Sequence, residues 1–200
     1  MKKIIFATSN ADKMKEIREI YQDLPVEILS MKEVGLSVDI EENGSSFEEN
    51  ALIKASTIAQ KCGEIVMADD SGLEVDALNK EPGIYSARYM GEDTSYHVKN
   101  ANIIQRLEGV EEKDRSARFV CAIACVAPNK ESKVVRATIE GYIGYEEKGE
   151  NGFGYDPIFI VPEYGCSSAE LSREQKNEIS HRGKALGLMK EYLMEFVAVH

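Results

Sequence analysis

Two adjacent carboxylates, Asp69 and Asp70, stand at the head of Asp69-Asp70-Ser71-Gly72, directly after the wholly apolar run Ile65-Val66-Met67-Ala68. An apolar run this short and continuous is the pattern of a strand covered on both faces. It would deliver both acids to its carboxyl end, the edge where open α/β sheets bind ligands. Neighbouring carboxylates repel unless a cation or a proton intervenes. Mg²⁺ suits such a pair, because it accepts one or two carboxylates, keeps several waters and takes further ligands from substrate phosphates. Asp-Ser-Gly is also a common turn, so the acids alone do not decide the matter. Glu41 and Glu42, in the polar stretch from Asp39 to Ser45, are further candidate ligands, although seen alone they would be surface charges.

Three other places carry polar residues against the local logic. Thr8-Ser9-Asn10-Ala11-Asp12-Lys13 turns a strand end into a helix start, where free N–H groups and the helix dipole attract anions and Lys13 adds charge. Plain capping by Ser9, Asn10 or Asp12 would explain the same residues, and the absence of glycines excludes a Walker A loop. Asn50 and Lys54 lie four residues apart on the apolar stripe of the next helix, so Lys54 must snorkel to water, pair with an acid or serve an anion. Ser180-His181-Arg182-Gly183-Lys184 crowds cations into the first turn of the last helix, where the dipole disfavours them. Upstream, Gly152-Phe153-Gly154-Tyr155-Asp156-Pro157 sets two aromatics on a glycine-flexible loop beside a carboxylate, and an aromatic face can stack on a nucleobase.

The elements that must position these groups follow from periodicity. Lys2 to Thr8 and Val26 to Ser30 are predicted strands, and Asp12 to Gln22 a short helix. Ser46-x-x-Glu49 is a capping box opening a helix with an apolar stripe from Phe47 to Cys62, and Gly63 stops it. A loop-rich stretch from Gly72 to Gly91 precedes a helix from about Ser95 to Leu107. Two long strands, Arg118 to Ala127 and Lys133 to Tyr145, flank a hairpin signal at Pro128-Asn129-Lys130-Glu131. A short strand covers Ile158 to Val161, and a final helix runs from Ser180 to about Val197 with Ala185, Leu188, Met189, Tyr192, Leu193 and Phe196 inward. Alternating helices and strands with a hairpin predict an α/β fold on a mixed sheet.

Composition closes off other classes. The net charge of −11 argues against a protein that grips polymeric nucleic acid, an RNA-binding module included, since phosphate backbones need clustered cations. No apolar run reaches the roughly 18 to 20 residues of a membrane span. The four cysteines, Cys62, Cys121, Cys125 and Cys166, show no zinc spacing and read as reduced thiols, which with no targeting segment points to a cytoplasmic protein.

Taken together, the motifs closely resemble the inosine/xanthosine triphosphate pyrophosphatase family. The matching stretches are Thr8-x-Asn10-x-x-Lys13, Ser46-Phe47-x-Glu49-Asn50-Ala51-x-x-Lys54-Ala55 and Ala68 to Leu73, followed by Pro82 to Tyr89, Gly152 to Pro157 and Ser180 to Gly183, in family order. The resemblance implies one elongated nucleotide pyrophosphatase domain over residues 1–200, with a long mixed sheet, two lobes, a cleft between them and a homodimer. It also implies Mg²⁺-dependent hydrolysis of ITP, dITP or XTP to the monophosphate and pyrophosphate. Carried over by position, Asp70 would be general base and metal ligand, with Glu41 as partner ligand and Asp69 nearby. Thr8, Ser9, Asn10, Ala11, Asp12, Lys13, Lys54 and Ser71 would hold the triphosphate. Phe153, Gly154, Tyr155 and Asp156 would wall the base, with Lys176, His181 and Arg182 at the purine edge. Ser9 departs from a usual glycine, and Asn79-Lys80-Glu81 from a glycine-containing turn. The rival readings are a Maf-type pyrophosphatase for pyrimidine or modified nucleotides, which the His-Arg pair argues against, and a non-catalytic nucleotide-binding regulator.

Overall fold

The computed structural model describes residues 1–198, and side chains through residue 195, so Phe196 lies outside the described side chains. Its seven strands form one sheet in the order β2-β1-β3-β4-β5-β6-β7. The chain divides into two compact units, Met1–Asp70 with Cys121–Ala137 and Arg182–His200, and Ser71–Val120 with Thr138–His181. The chain passes from one unit to the other within three strands, β3 (Ile65–Val75), β4 (Ser116–Val126) and β5 (Lys133–Ile143), and a fourth time between His181 and Arg182.

The first unit is built on parallel pairing. Strand β1 (Lys2–Phe6) pairs with β2 (Val26–Ser30) from Lys2↔Val26 to Phe6↔Ser30, and with β3 from Ile4↔Ile65 to Phe6↔Met67. Parallel neighbours need long crossovers, which α1 (Ala11–Ile20) and α2 (Phe47–Cys62) supply. The core gathers Ile4, Phe6, Met14, Ile17, Met67, Ile123, Leu186 and Met189, with Cys121 and Cys125 buried among them. All four cysteines are free, and burial pushes the Cys125 thiol up to about 12. From α5 (His181–Ala198), Ala185, Leu186, Met189 and Leu193 enter this core. Leu188, expected inward, is 46% exposed. At 100° per residue it falls roughly 110° from the centre of the buried face, whereas Leu186 falls within it.

The second unit holds antiparallel pairing. β5 pairs with β6 (Phe159–Val161), and β6 with β7 (Cys166–Ser167). Helix α3 (Tyr96–Arg106), capped by Ser95, contributes Ile103 to a core with Leu73, Val75, Leu107, Phe119, Ile158 and Phe159. Arg115 is buried there with its guanidinium donating to the carbonyls of Leu107, Val110, Ile143 and Gly144. A short helix, α4 (Arg173–Ile179), precedes α5, opened by a reciprocal capping box between Ser172 and Gln175.

Two sequence expectations change. The Ser46 hydroxyl does cap α2 by accepting from Glu49 N–H, but Glu49 returns to Ser45 N–H and Oγ rather than to Ser46, so the box is half formed. More consequential, Asp69-Asp70-Ser71-Gly72 is not a turn after a short strand. β3 runs straight through it for 11 residues, to Val75. Leu73 and Val75 are buried and continue the strand, and Gly72 permits it: a Cβ there would collide with Gly83 O and the Ser86 side chain.

Candidate active site

Because the acids lie within a strand, their side chains point to opposite faces, and their partners differ accordingly. Asp69 is 3% exposed. Its carboxylate accepts from Lys13 Nζ at 3.0 Å, with Arg182 Nε 3.7 Å away. Burial opposes its charge, but Lys13, Arg182 and Lys54 together hold the carboxyl down to about 2. Asp69 is thus an ionised hub for cations. Asp70 has the reverse character. Burial pushes its carboxyl up to about 7, with Lys54 opposing and Glu42 reinforcing the shift, and its buried Oδ2 has no hydrogen-bond partner among the described residues.

Lys54 joins the two faces of this pattern. It does not snorkel: Nζ donates to the Asp69 carbonyl at 3.0 Å and pairs with Glu42 at 2.7 Å. Burial works against its ammonium, but the bond to Glu42 and the nearby Asp69 hold it above the usual lysine range. Of the two loop acids, Glu42 therefore enters the site, whereas the Glu41 side chain is exposed. Spacing could not separate them, since both precede α2 in an irregular stretch. The structural signal is the lysine's choice of partner.

At the start of α1, Asn10 is the cap, its Oδ1 accepting from Asp12 N–H at 2.9 Å and Lys13 N–H at 3.1 Å, while Thr8 Oγ1 accepts from Asn10 N–H. Ser9, Asn10, Ala11 and Asp12 are exposed. The capping explanation is thus correct for Asn10, and it also orients Lys13 toward Asp69. Arg182, expected at a purine edge, spends its guanidinium on Glu16 at 3.0 Å and on Asp69. The buried Asp69 anion draws it there. It also explains why a cation is tolerated in the first turn of α5, the opposing charge that the helix dipole called for.

In the second unit, Gly152 and Gly154 take positive φ (75° and 64°) and shape a loop whose tip, Phe153, is 73% exposed. Asp156 anchors the loop by accepting from Phe153 N–H at 3.0 Å and pairing with Lys176, whose ammonium lies 5.4 Å from the Phe153 ring centre. Tyr155 is buried, donates its hydroxyl proton to Ser86 O at 2.6 Å and meets Tyr96 edge-on at 5.3 Å. Asn100 donates to Gly154 O and to Glu147. His181 stacks on Phe119 with ring centres 5.4 Å apart. Ser71, the next residue in β3 after Asp70, is half-buried. Asn100 and Tyr96 escaped the sequence reading, since on α3 they are ordinary polar and aromatic positions.

No group of three or more His, Cys, Asp or Glu side chains among the described residues gathers as a ready metal cage. The Asp70–Glu42 arrangement nonetheless suits an ion that needs one or two carboxylates: an orphaned buried oxygen, a second acid nearby and a raised carboxyl waiting for positive charge. No helix among the described residues is long and apolar enough to cross a membrane.

The chain is similar to known proteins over nearly its whole length. A family model described as the Ham1 family matches residues 4–192. A protein of Bacillus licheniformis named dITP/XTP pyrophosphatase is 48% identical over 186 residues, covering 93% of this chain and 95% of its own. One of the same name from Caldanaerobacter subterraneus is 48% identical over 196 residues, covering 98% of each. Among solved structures, the Staphylococcus aureus Ham1 protein matches with TM-score 0.90 at 44% identity, over 97% of this chain and 99% of its own. A HAM1 protein from Coxiella burnetii gives 0.91 at 41%, over 98% and 100%.

Proposed function

The chain belongs to the Ham1 family, and from that premise we propose that it hydrolyses dITP, ITP and XTP to the monophosphate and pyrophosphate, clearing deaminated purines from the nucleotide pool. One observation supports this most: a half-buried carboxyl, Asp70, whose buried Oδ2 has no partner among the described residues, set beside a second acid, Glu42, and a lysine, Lys54. Such a group suits a divalent cation and a polyphosphate.

In this reading Asp70 and Glu42 would hold Mg²⁺, which would neutralise charge developing on the phosphate oxygens. Glu42 takes the place that the family pattern gave Glu41. Asp69 serves by holding Lys13 and Arg182 in place, and these cations, with Lys54, Thr8, Ser9, Asn10, Ala11, Asp12 and Ser71, bind the triphosphate. Asp70 orients the attacking water and accepts its proton, as a positioned carboxylate can. The water oxygen bonds to the α-phosphorus as the bond to the bridging oxygen breaks, and pyrophosphate leaves.

Phe153 supplies a stacking face for the base, on a loop set by Gly154, Tyr155 and Asp156. Inosine and xanthine carry an acceptor at the purine 6-position where adenine carries a donor amine. Lys176 and His181 donate to that oxygen, and a site made for such bonds discriminates by ~10⁴ or more. Guanine shares the oxygen and must be rejected at its 2-amino group. The functional domain spans both units, because no cut between them spares β3, β4 and β5. A cytoplasmic homodimer completes the proposal, and light scattering tests the dimer.

The decisive experiment measures pyrophosphate released from ITP, XTP, dITP, GTP, ATP and dTTP with Mg²⁺. Preference for the 6-oxopurines GTP excepted supports the reading, and preference for ATP or dTTP overturns it.

A further inference from the structure

Asn50 sits in the first part of α2, on the row that continues to Lys54, and is completely buried, at 0% exposure. A buried primary amide carries an acceptor and two donors that need partners. Its Oδ1 accepts from Gly44 N–H at 2.8 Å, two residues after Glu42. The fit is close: a Cβ on Gly44 would stand 2.7 Å from Asn50 Oδ1 and 2.8 Å from Glu49 Cβ. Its Nδ2 is buried without a hydrogen-bond partner among the described residues, and so is Asp70 Oδ2. The amide lies within reach of the Asp70 carboxylate. A loop clamp would account for Oδ1 alone. It leaves unexplained an unpartnered donor buried beside an unpartnered acceptor, an arrangement that a small shift resolves and that folding would otherwise disfavour.

We propose that Asn50 is a positioning residue whose amide seats the Glu42 loop through Oδ1 and orients the Asp70 carboxylate through Nδ2, fixing the two acids in the arrangement they use together. The inference rests on the reading of Asp70 and Glu42 as joint metal ligands. Donation from Nδ2 to one Asp70 oxygen prevents the carboxylate from rotating and leaves its remaining lone pairs for cation and water. Groups that orient ligands in this way commonly contribute 10- to 100-fold to metal affinity or activity.

The test uses full-length protein and two variants. Asn50→Leu keeps the volume and removes both amide functions, while Gly44→Ala keeps every polar atom and displaces the amide. Mn²⁺ affinity is measured by electron paramagnetic resonance without nucleotide, kcat and KM with dITP, and folding by circular dichroism. For Asn50→Leu we expect kcat lower by about 100-fold, KM within about threefold, and Mn²⁺ affinity lower by about tenfold. Gly44→Ala should show the same pattern at about tenfold in kcat. If Asn50→Leu does not fold, Gly44→Ala decides. Folded variants with kcat and Mn²⁺ affinity within twofold of the parent overturn the inference, as does a parent that binds no Mn²⁺. A parent that binds Mn²⁺ but releases no pyrophosphate from dITP overturns the functional reading instead, and the nucleotide-free titration still judges Asn50.

Discussion

The two units stabilise their candidate site residues by different means. In the first, charge is met by charge: Asp69 with Lys13 and Arg182, Lys54 with Glu42, Arg182 with Glu16. In the second, the aromatic loop is held mostly by bonds to the main chain, from Asn100 to Gly154 O, from Tyr155 to Ser86 O and from Phe153 N–H to Asp156. Even its buried cations follow this rule, for Arg115 donates to four carbonyls and Lys99 to Ala87 O. Ion networks respond to an added cation or anion, whereas main-chain bonds fix a shape. One unit is therefore suited to charge that arrives with a substrate, and the other to holding a planar surface still.

The sharpest break is at Asp70. Asp70→Asn should lower pyrophosphate release from dITP by about 10³-fold in a protein that folds normally, as expected when a general base and ligand is lost. Folded protein retaining full turnover would refute the role. Lys54→Ala comes next, with kcat/KM down by about 10²-fold and the fold intact. Loss of thermal stability with unchanged kcat/KM would show the lysine to be structural only.

Phe153→Ala tests the second unit's side of the contrast. An exposed ring contributes little to the fold, so the melting temperature should stay within about 2 °C. KM for dITP should rise about tenfold, within the ~1–3 kcal/mol of a base–aromatic stack. Equal losses in stability and KM would mean that the ring is a packing residue.

The smallest effect sharpens one of the ion-paired exceptions in the second unit, where Arg118 pairs with Asp76, Glu74 and Glu140. Hydrogen bonds from Arg118, with help from Ser116, hold the Asp76 carboxyl below its ordinary range. A lowered carboxyl stabilises the fold above the ordinary carboxylate range and loses that contribution as pH falls through the folded value. Asp76→Asn should thus flatten the acid limb of a stability–pH curve measured by urea unfolding, leaving turnover unchanged. An unaltered acid limb would show the pair to be inert, as many exposed ion pairs are.

Much of this is legible in the sequence, for identifiable reasons. Val26 to Ser30 and the helix after Ser46 announced themselves through periodicity and a cap, and the structure keeps them within a residue or so. Helix α4 is not legible in the sequence although Ser172 and Gln175 carry a box signal, because seven residues give too little periodicity. Glu42 could not be told from Glu41, since an irregular loop has no period to assign a face. The resemblance puts Arg182 at the purine edge, and sequence spacing cannot show that its guanidinium pairs with Asp69, 113 residues earlier in the chain.

The extension of β3 through the acids has a consequence for mutation by insertion or deletion. Loops absorb length changes, but a strand has parity. Removing one residue between Ile65 and Ala68 would exchange which acid faces Lys13 and Arg182 and which faces Asn50 and Lys54, reversing their assignments without altering either side chain. Removing two would restore the faces and shift the pairing with β1. The chemistry at this position therefore depends on an even count of residues, a constraint that a turn bearing the same four residues would not impose.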